Sequence, residues 1–134
     1  MEVNITSENF ENEVLKYEGI VIVDFFGTWC MPCKMLAPIV EKVASEHNIK
    51  LAKVDIDNNE ALVRQFNIVS VPTLKFFRNG ELINTSVGLI SEKRLLELIQ
   101  LWENLKATID IVAFLFYYIY NNENGVDEKW KEFI

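Results

Sequence analysis

Apolar positions along the chain fall into two kinds of pattern. The first is a short continuous run, and Ile20 to Phe26 is the clearest case. Its β-branched and aromatic content predicts a strand buried on both faces. Leu51 to Ile56 predicts a second core strand, and Val3-Asn4-Ile5 a short one near the start. The second pattern is helical spacing. Phe10, Val14 and Tyr17 predict a helix capped by Ser7 and ended by Gly19. Cys33 to about His47 reads as a longer helix, in which Pro38 must remove one backbone hydrogen bond. Asn58 or Asn59 starts a short helix ending near Phe66, and Ser91 caps a last one beginning Glu92-Lys93-Arg94-Leu95. Between these, Thr73–Phe77 and Leu82–Val87 flank Asn79-Gly80, a strong hairpin signal. A strand–helix–strand half followed by a hairpin and a helix predicts a layered α/β domain.

The pattern changes near Leu105. No Gly or Pro interrupts Ser91 to Asn122, so the last helix can continue. Leu95, Trp102, Ile109 and Phe116 then fall at one heptad position, and Leu98, Leu105, Val112 and Ile119 at the other. That spacing is a helix–helix seam, but Ile111 to Tyr120 is apolar nearly all round. Asn124-Gly125 reads as a turn, and Asp127 as the cap of a final short helix carrying Trp130 and Phe133. The division expected is 1–106 for the α/β domain and 107–134 for an aromatic-rich helical extension. Three roles compete for the extension: packing along its own domain, pairing with a second copy or a partner helix, and membrane association. A membrane span is the weakest of these. It needs about 20 apolar residues, and the run from Ile111 to Tyr120 supplies ten, with Asp110 just before them.

Composition narrows the class. The 134 residues carry 13 Lys+Arg against 20 Asp+Glu, a formal charge of −7. That balance excludes nonspecific nucleic-acid binding, which depends on cations neutralising phosphates. Two cysteines are too few for a disulfide scaffold. With a single histidine, His47, they make no metal site. Met1-Glu2-Val3-Asn4 has neither a basic nor an apolar leader region, so a reducing cytoplasm is the expected compartment. Half of the aromatics, eight of sixteen, lie in the last 34 residues.

The chemistry is concentrated in Trp29-Cys30-Met31-Pro32-Cys33-Lys34, between a strand and a helix. Cysteines three apart in a first helical turn bring their sulfurs within disulfide reach. Unsatisfied backbone N–H groups and the positive end of the helix dipole favour a thiolate on the first. Such a thiolate attacks disulfides, and the second cysteine resolves the mixed disulfide. Pro32 loses nothing by lacking an N–H at a helix start. Asp24, inside an apolar strand, carries a carboxylate whose ionisation burial opposes.

The segment Val23-Asp24-Phe25-Phe26-Gly27-Thr28-Trp29-Cys30-Met31-Pro32-Cys33-Lys34 resembles the active-site region of thioredoxins. Ala37-Pro38, Lys53-Val54-Asp55-Ile56-Asp57, Val71-Pro72-Thr73-Leu74, Asn79-Gly80 and Val87-Gly88 follow in the family's order and spacing. The resemblance covers about residues 1–104. It implies a mixed five-stranded sheet in the order 1-3-2-4-5, flanked by four helices. It also implies that Cys30 is the nucleophile, Cys33 the resolving thiol and Asp24 the acceptor of the Cys33 proton, with Lys53 paired to Asp24. Pro72 matches the family's cis proline, which leaves the Val71 backbone free to bond an extended substrate. Trp29, Pro32, Val71, Pro72 and Gly88 then line a docking surface for disulfide-containing proteins.

The activity implied is reduction of protein disulfides with no bound cofactor. Reducing equivalents would come from a thioredoxin reductase, flavin-dependent or ferredoxin-linked. Met31 stands where the family most often has glycine, Phe26 replaces a frequent tryptophan, and Gly27-Thr28 departs from the usual pair before Trp29. No reacting group is lost, but the redox potential is left open. A more oxidising isomerase or oxidase is therefore an alternative, as is an interaction or assembly module working through the extension.

Overall fold

A computed structural model describes residues 1–123, apart from the side chains at 101–103, 105, 106 and 123. The expected turn at Asn124-Gly125 and the final helix with Trp130 and Phe133 lie outside the described residues. So do the side chains of Trp102 and Leu105.

Five strands form one sheet in the order β1-β3-β2-β4-β5: β1 Glu2–Asn4, β2 Ile20–Phe26, β3 Lys50–Asp55, β4 Thr73–Arg78 and β5 Glu81–Val87. β1, β3 and β2 run parallel, β4 is antiparallel to β2, and β5 is antiparallel to β4. This is the thioredoxin fold that the motif order implied, with the hairpin closed at Asn79-Gly80. Both turn residues have positive φ, 48° and 81°. A side chain on Gly80 would collide with the Leu15 carbonyl oxygen. Glycine is therefore required there by conformation and by space.

Among the described residues three α-helices follow in order: α1 Met31–Glu46, α2 Glu60–Gln65 and α3 Glu92–Glu123. The first expected helix differs. It is a five-residue π-helical turn, Glu11–Leu15, which begins after Phe10 with no side-chain cap, so Ser7 does not cap it. The local bonds are made by other groups: Asn9 Oδ1 accepts from the Thr6 N–H at 2.7 Å, and Asn9 Nδ2 donates to the Asn4 carbonyl. Ser91 does cap α3, its hydroxyl accepting from the Arg94 N–H at 3.1 Å.

Alternation along β2 divides its side chains between two faces. Val21, Val23 and Phe25 join Ile5, Phe10, Val14, Ala52, Val54, Leu62 and Phe77 in one core cluster. The Phe66 ring lies 5.2–6.0 Å from those of Phe10, Phe25 and Phe77, in tilted and edge-on contacts. Ile22 and Asp24 belong to the opposite face, so the one carboxylate in the strand is turned away from this cluster.

The chain divides into two compact units, Met1–Leu98 and Ile99–Ile134. Within the second, the described residues form the continuation of α3. Ile111 to Tyr120 are all exposed. No helix among the described residues is long and apolar enough to cross a membrane.

Candidate active site

β2 ends at Phe26, and the chain turns through Gly27-Thr28-Trp29 into α1. Cys30 is the N-cap of that helix, with Pro32 in its first turn. Cys30 and Cys33 are joined as a disulfide, so the site is in its oxidised state. The Cys33 N–H donates to Cys30 Sγ at 3.2 Å, which makes the sulfur itself the helix cap. A thiolate at that atom would receive this bond and the favourable end of the helix dipole. Cys30 and Cys33 are each only 5 % exposed.

The backbone of another loop meets the first sulfur. Cys30 Sγ lies 3.8 Å from the Val71 carbonyl oxygen, and the Val71–Pro72 peptide bond is cis. A disulfide sulfur has no proton to donate, so this is a contact. The Gly88 N–H donates to the Pro72 carbonyl at 2.8 Å, which ties the end of β5 to that loop. Gly88 has φ +91°, and an added Cβ would meet nothing within 4 Å. Its requirement is conformational.

Trp29 is held differently. It is 65 % exposed, yet its indole N–H donates to Asp57 Oδ2 at 2.9 Å. A Cβ on Gly27 would lie 2.8 Å from the indole ring, so this glycine lets the ring pack on the backbone. Met31 and Met35 are exposed beside it in sequence. Asp57 was legible only as part of the Lys53–Asp57 motif, and nothing in its spacing announced a bond to Trp29.

Behind the cysteines lies a cavity of about 280 Å³ lined by Asp24, Phe26, Gly27, Thr28, Cys33, Lys34, Ala37 and Lys53. It brings together the resolving cysteine, the buried acid and the lysine. Asp24 is 3 % exposed, and its Oδ1 has no hydrogen-bond partner. Burial raises its pKa from 3.8 to about 6; Lys53 opposes the rise, while Glu41 and Glu2 add to it. Lys53 stands level with Asp24 on the neighbouring strand, but it is not paired with it as expected. Its ion partners are Glu41 at 3.8 Å and Glu2 at 4.0 Å. Neither glutamate was singled out by the sequence, because each is an unremarkable charge until the sheet register and the helix bring it to the lysine. Among the described residues, no three His, Cys, Asp or Glu side chains form a group that could hold a metal ion.

Comparison with known proteins agrees with this geometry. The thioredoxin family model matches residues 2–101. A thioredoxin of Rickettsia bellii is 43% identical over 96 residues, which is 70% of this chain and 91% of that protein. One of Buchnera aphidicola is 40% identical over 106 residues, 78% of this chain and 96% of its own. One of Pseudomonas aeruginosa is 39% identical over 95 residues, covering 69% and 88%.

Proposed function

Since the chain belongs to the thioredoxin family and is thereby a thiol–disulfide oxidoreductase, we propose that it works in the reducing direction, on disulfides of other proteins. The observation that carries this reading is a two-cysteine site whose first sulfur caps a helix, with a buried acid sharing a cavity with the second.

In the dithiol form, the Cys30 thiolate attacks one sulfur of a substrate disulfide. A Cys30–substrate bond forms, the substrate S–S bond breaks, and one substrate thiolate leaves. Cys33 then gives its proton to the Asp24 carboxylate and attacks Cys30 Sγ. The mixed disulfide breaks, the second substrate thiolate leaves, and Cys30–Cys33 becomes the disulfide. Two electrons have passed to the substrate, whose thiolates take one proton by way of Asp24 and one from solvent. A cavity of about 280 Å³ has room for several waters at roughly 30 Å³ each. Asp24 can therefore exchange its proton through water without touching the sulfur. With a pKa near 6, it is a ready acceptor at neutral pH and still basic enough to hold the proton briefly.

Val71, Pro72, Trp29, Pro32 and Gly88 form the docking surface in this reading. Asp57 keeps the Trp29 indole in place on it. Reduction back to the dithiol would be done by a thioredoxin reductase, with no cofactor bound to the chain itself, in a reducing cytoplasm. Insulin reduction with dithiothreitol as electron donor tests the activity: Cys30→Ser should abolish turnover, and retained turnover would refute the reading. Equilibration with glutathione tests the direction. A disulfide more oxidising than the glutathione couple would favour an isomerase or oxidase instead.

A contact role for the extension has one observation in its favour. Ile109, Val112, Phe116 and Ile119, all on one heptad seam, are each more than half exposed. Sedimentation of the full chain tests it, with Phe116→Glu as control. A mass above the monomer that this substitution lowers supports a helix pairing with a second copy, and a monomer at all concentrations removes that pairing.

A further inference from the structure

Strand β3 lies between β1 and β2, and Lys53 is level with Asp24 on one side and with Asn4 on the other. Residues level in a parallel pair share a face, and so do residues two apart on one strand. Asp24, Lys53 and Glu2 therefore form a row across one face of the sheet. Cys33, Ala37 and Glu41 recur every fourth residue along α1 and so form one stripe of that helix. The stripe lies on the row: Cys33 and Ala37 line the cavity with Asp24 and Lys53, and Glu41 reaches the lysine one turn further on.

The Lys53 ammonium is thus placed between two half-exposed carboxylates, Glu41 Oε1 at 3.8 Å and Glu2 Oε1 at 4.0 Å. The Phe26 ring lies beneath it, with the centroid 5.1 Å away. The lysine side chain is 18 % exposed, so solvent screens these charges less than it would on an open surface. Among the described residues no ion pair joins it to Asp24, whose Oδ1 is unbonded. One cation is held by two carboxylates that are not the buried one.

We propose that Glu2 and Glu41 are positioning residues: they hold the Lys53 ammonium on the solvent side of the Asp24 cavity, and through it they set how readily Asp24 takes up and releases its proton. The proposal rests on the reductase reading only for what that proton is used for. The charged groups around Asp24 are Lys53 from β3, Glu2 from β1, and Lys34 and Glu41 from α1; its partner on β4 is the uncharged Leu74. Neutralising a glutamate removes a repulsion on Asp24 and also leaves Lys53 free to turn toward it. Both effects favour the ionised acid.

The test follows the Asp24 carboxyl by carbon NMR against pH in the full chain, with Glu2→Gln, Glu41→Gln and the double variant, each also in a Lys53→Gln background. Each single variant should raise the Asp24 dissociation constant about 2- to 5-fold, and the double variant about 5- to 10-fold. The shifts should shrink when Lys53 is absent. An unmoved midpoint in the double variant would overturn the proposal. So would an equal shift with and without Lys53, since the glutamates would then act through space alone. If Lys53→Gln does not fold, Lys53→Met takes its place. The acid limb of insulin reduction should move with the midpoint. Absence of reduction in the unsubstituted chain would instead count against the reductase reading, and the titration would still decide the role of the glutamates.

Discussion

The first unit and the helix beyond it use the same kinds of side chain to opposite ends. In the sheet, Val23, Phe25 and Leu74 have no exposure, and Leu36 and Leu95 on the helices have none either. Between Ile109 and Tyr120, the same residue types are 49–73 % exposed. Hydrophobicity alone does not bury a residue; it needs a facing surface. A strand such as β2 has neighbours on both edges and packed elements over both faces. A helix apolar all round needs partners on every side. The first unit buries these side chains in a core on its sheet, whereas the helix presents its own.

The sharpest way to break that contrast is to truncate a side chain that the first unit buries. Leu95→Ala removes a fully buried side chain and should cost about 2–5 kcal/mol, read as a lower urea midpoint with an unchanged slope. A cost below about 1 kcal/mol would mean that α3 is not tightly joined to the first unit's core.

A second test opposes stability to activity. Asp24 has a raised pKa, so the folded state binds more protons than the unfolded state between pH 3.8 and about 6. Stability therefore falls as pH rises through that window and stays lower above it. A shift of about two units corresponds to roughly 3 kcal/mol. Asp24→Asn should return most of that at pH 7 and little near pH 4. The same change should slow disulfide reduction about 10²-fold, the lower range for a lost general base. Equal stabilisation at both pH values would show that burial of the carboxylate is not the cause.

The difference between the two regions also explains what could be read from the sequence. β2 and the hairpin were legible because their signals are local: six strand formers in seven residues, and an Asn-Gly that takes two positive φ values. Cys30, Cys33 and Asp24 were legible because each residue type is out of place unless it does chemistry. Asp57, Glu2 and Glu41 were not, since a surface acid reveals its partner only after register and helix phase are known. Ser7 failed as a cap because Asn9 and Thr6 supply competing local bonds. The heptad seam was visible by spacing, but spacing says nothing of what faces it.

A smaller effect is expected at Lys50, which is 4 % exposed and pairs with Glu13 from the π-helical turn, while Tyr17 lies 4.5 Å beneath its ammonium. Glu13→Gln leaves a buried cation with a neutral partner. Because Glu13 is itself 37 % exposed, the loss should be about 1–2 kcal/mol, below that for a wholly buried pair. Chemical denaturation at low and high salt checks it, with high salt narrowing the gap. No change at either salt concentration would make the pair incidental to the fold.

The smallest effect belongs to the exposed helix, and its size is the point. Phe116 is 73 % exposed, so truncating it removes few contacts within one chain. Phe116→Ala should change the monomer's stability by no more than about 0.5 kcal/mol, against several for Leu95→Ala. It should leave insulin reduction unchanged, since the cysteines and the cavity lie in the other unit. The measurement is a urea titration repeated at two protein concentrations about a hundredfold apart. If the seam pairs between chains, the unsubstituted protein gains stability with concentration by mass action and Phe116→Ala does not. If the side chain is exposed and unused, neither protein depends on concentration. A loss of several kcal/mol at low concentration would contradict both outcomes, because a residue that matters that much to one chain is not an exposed one.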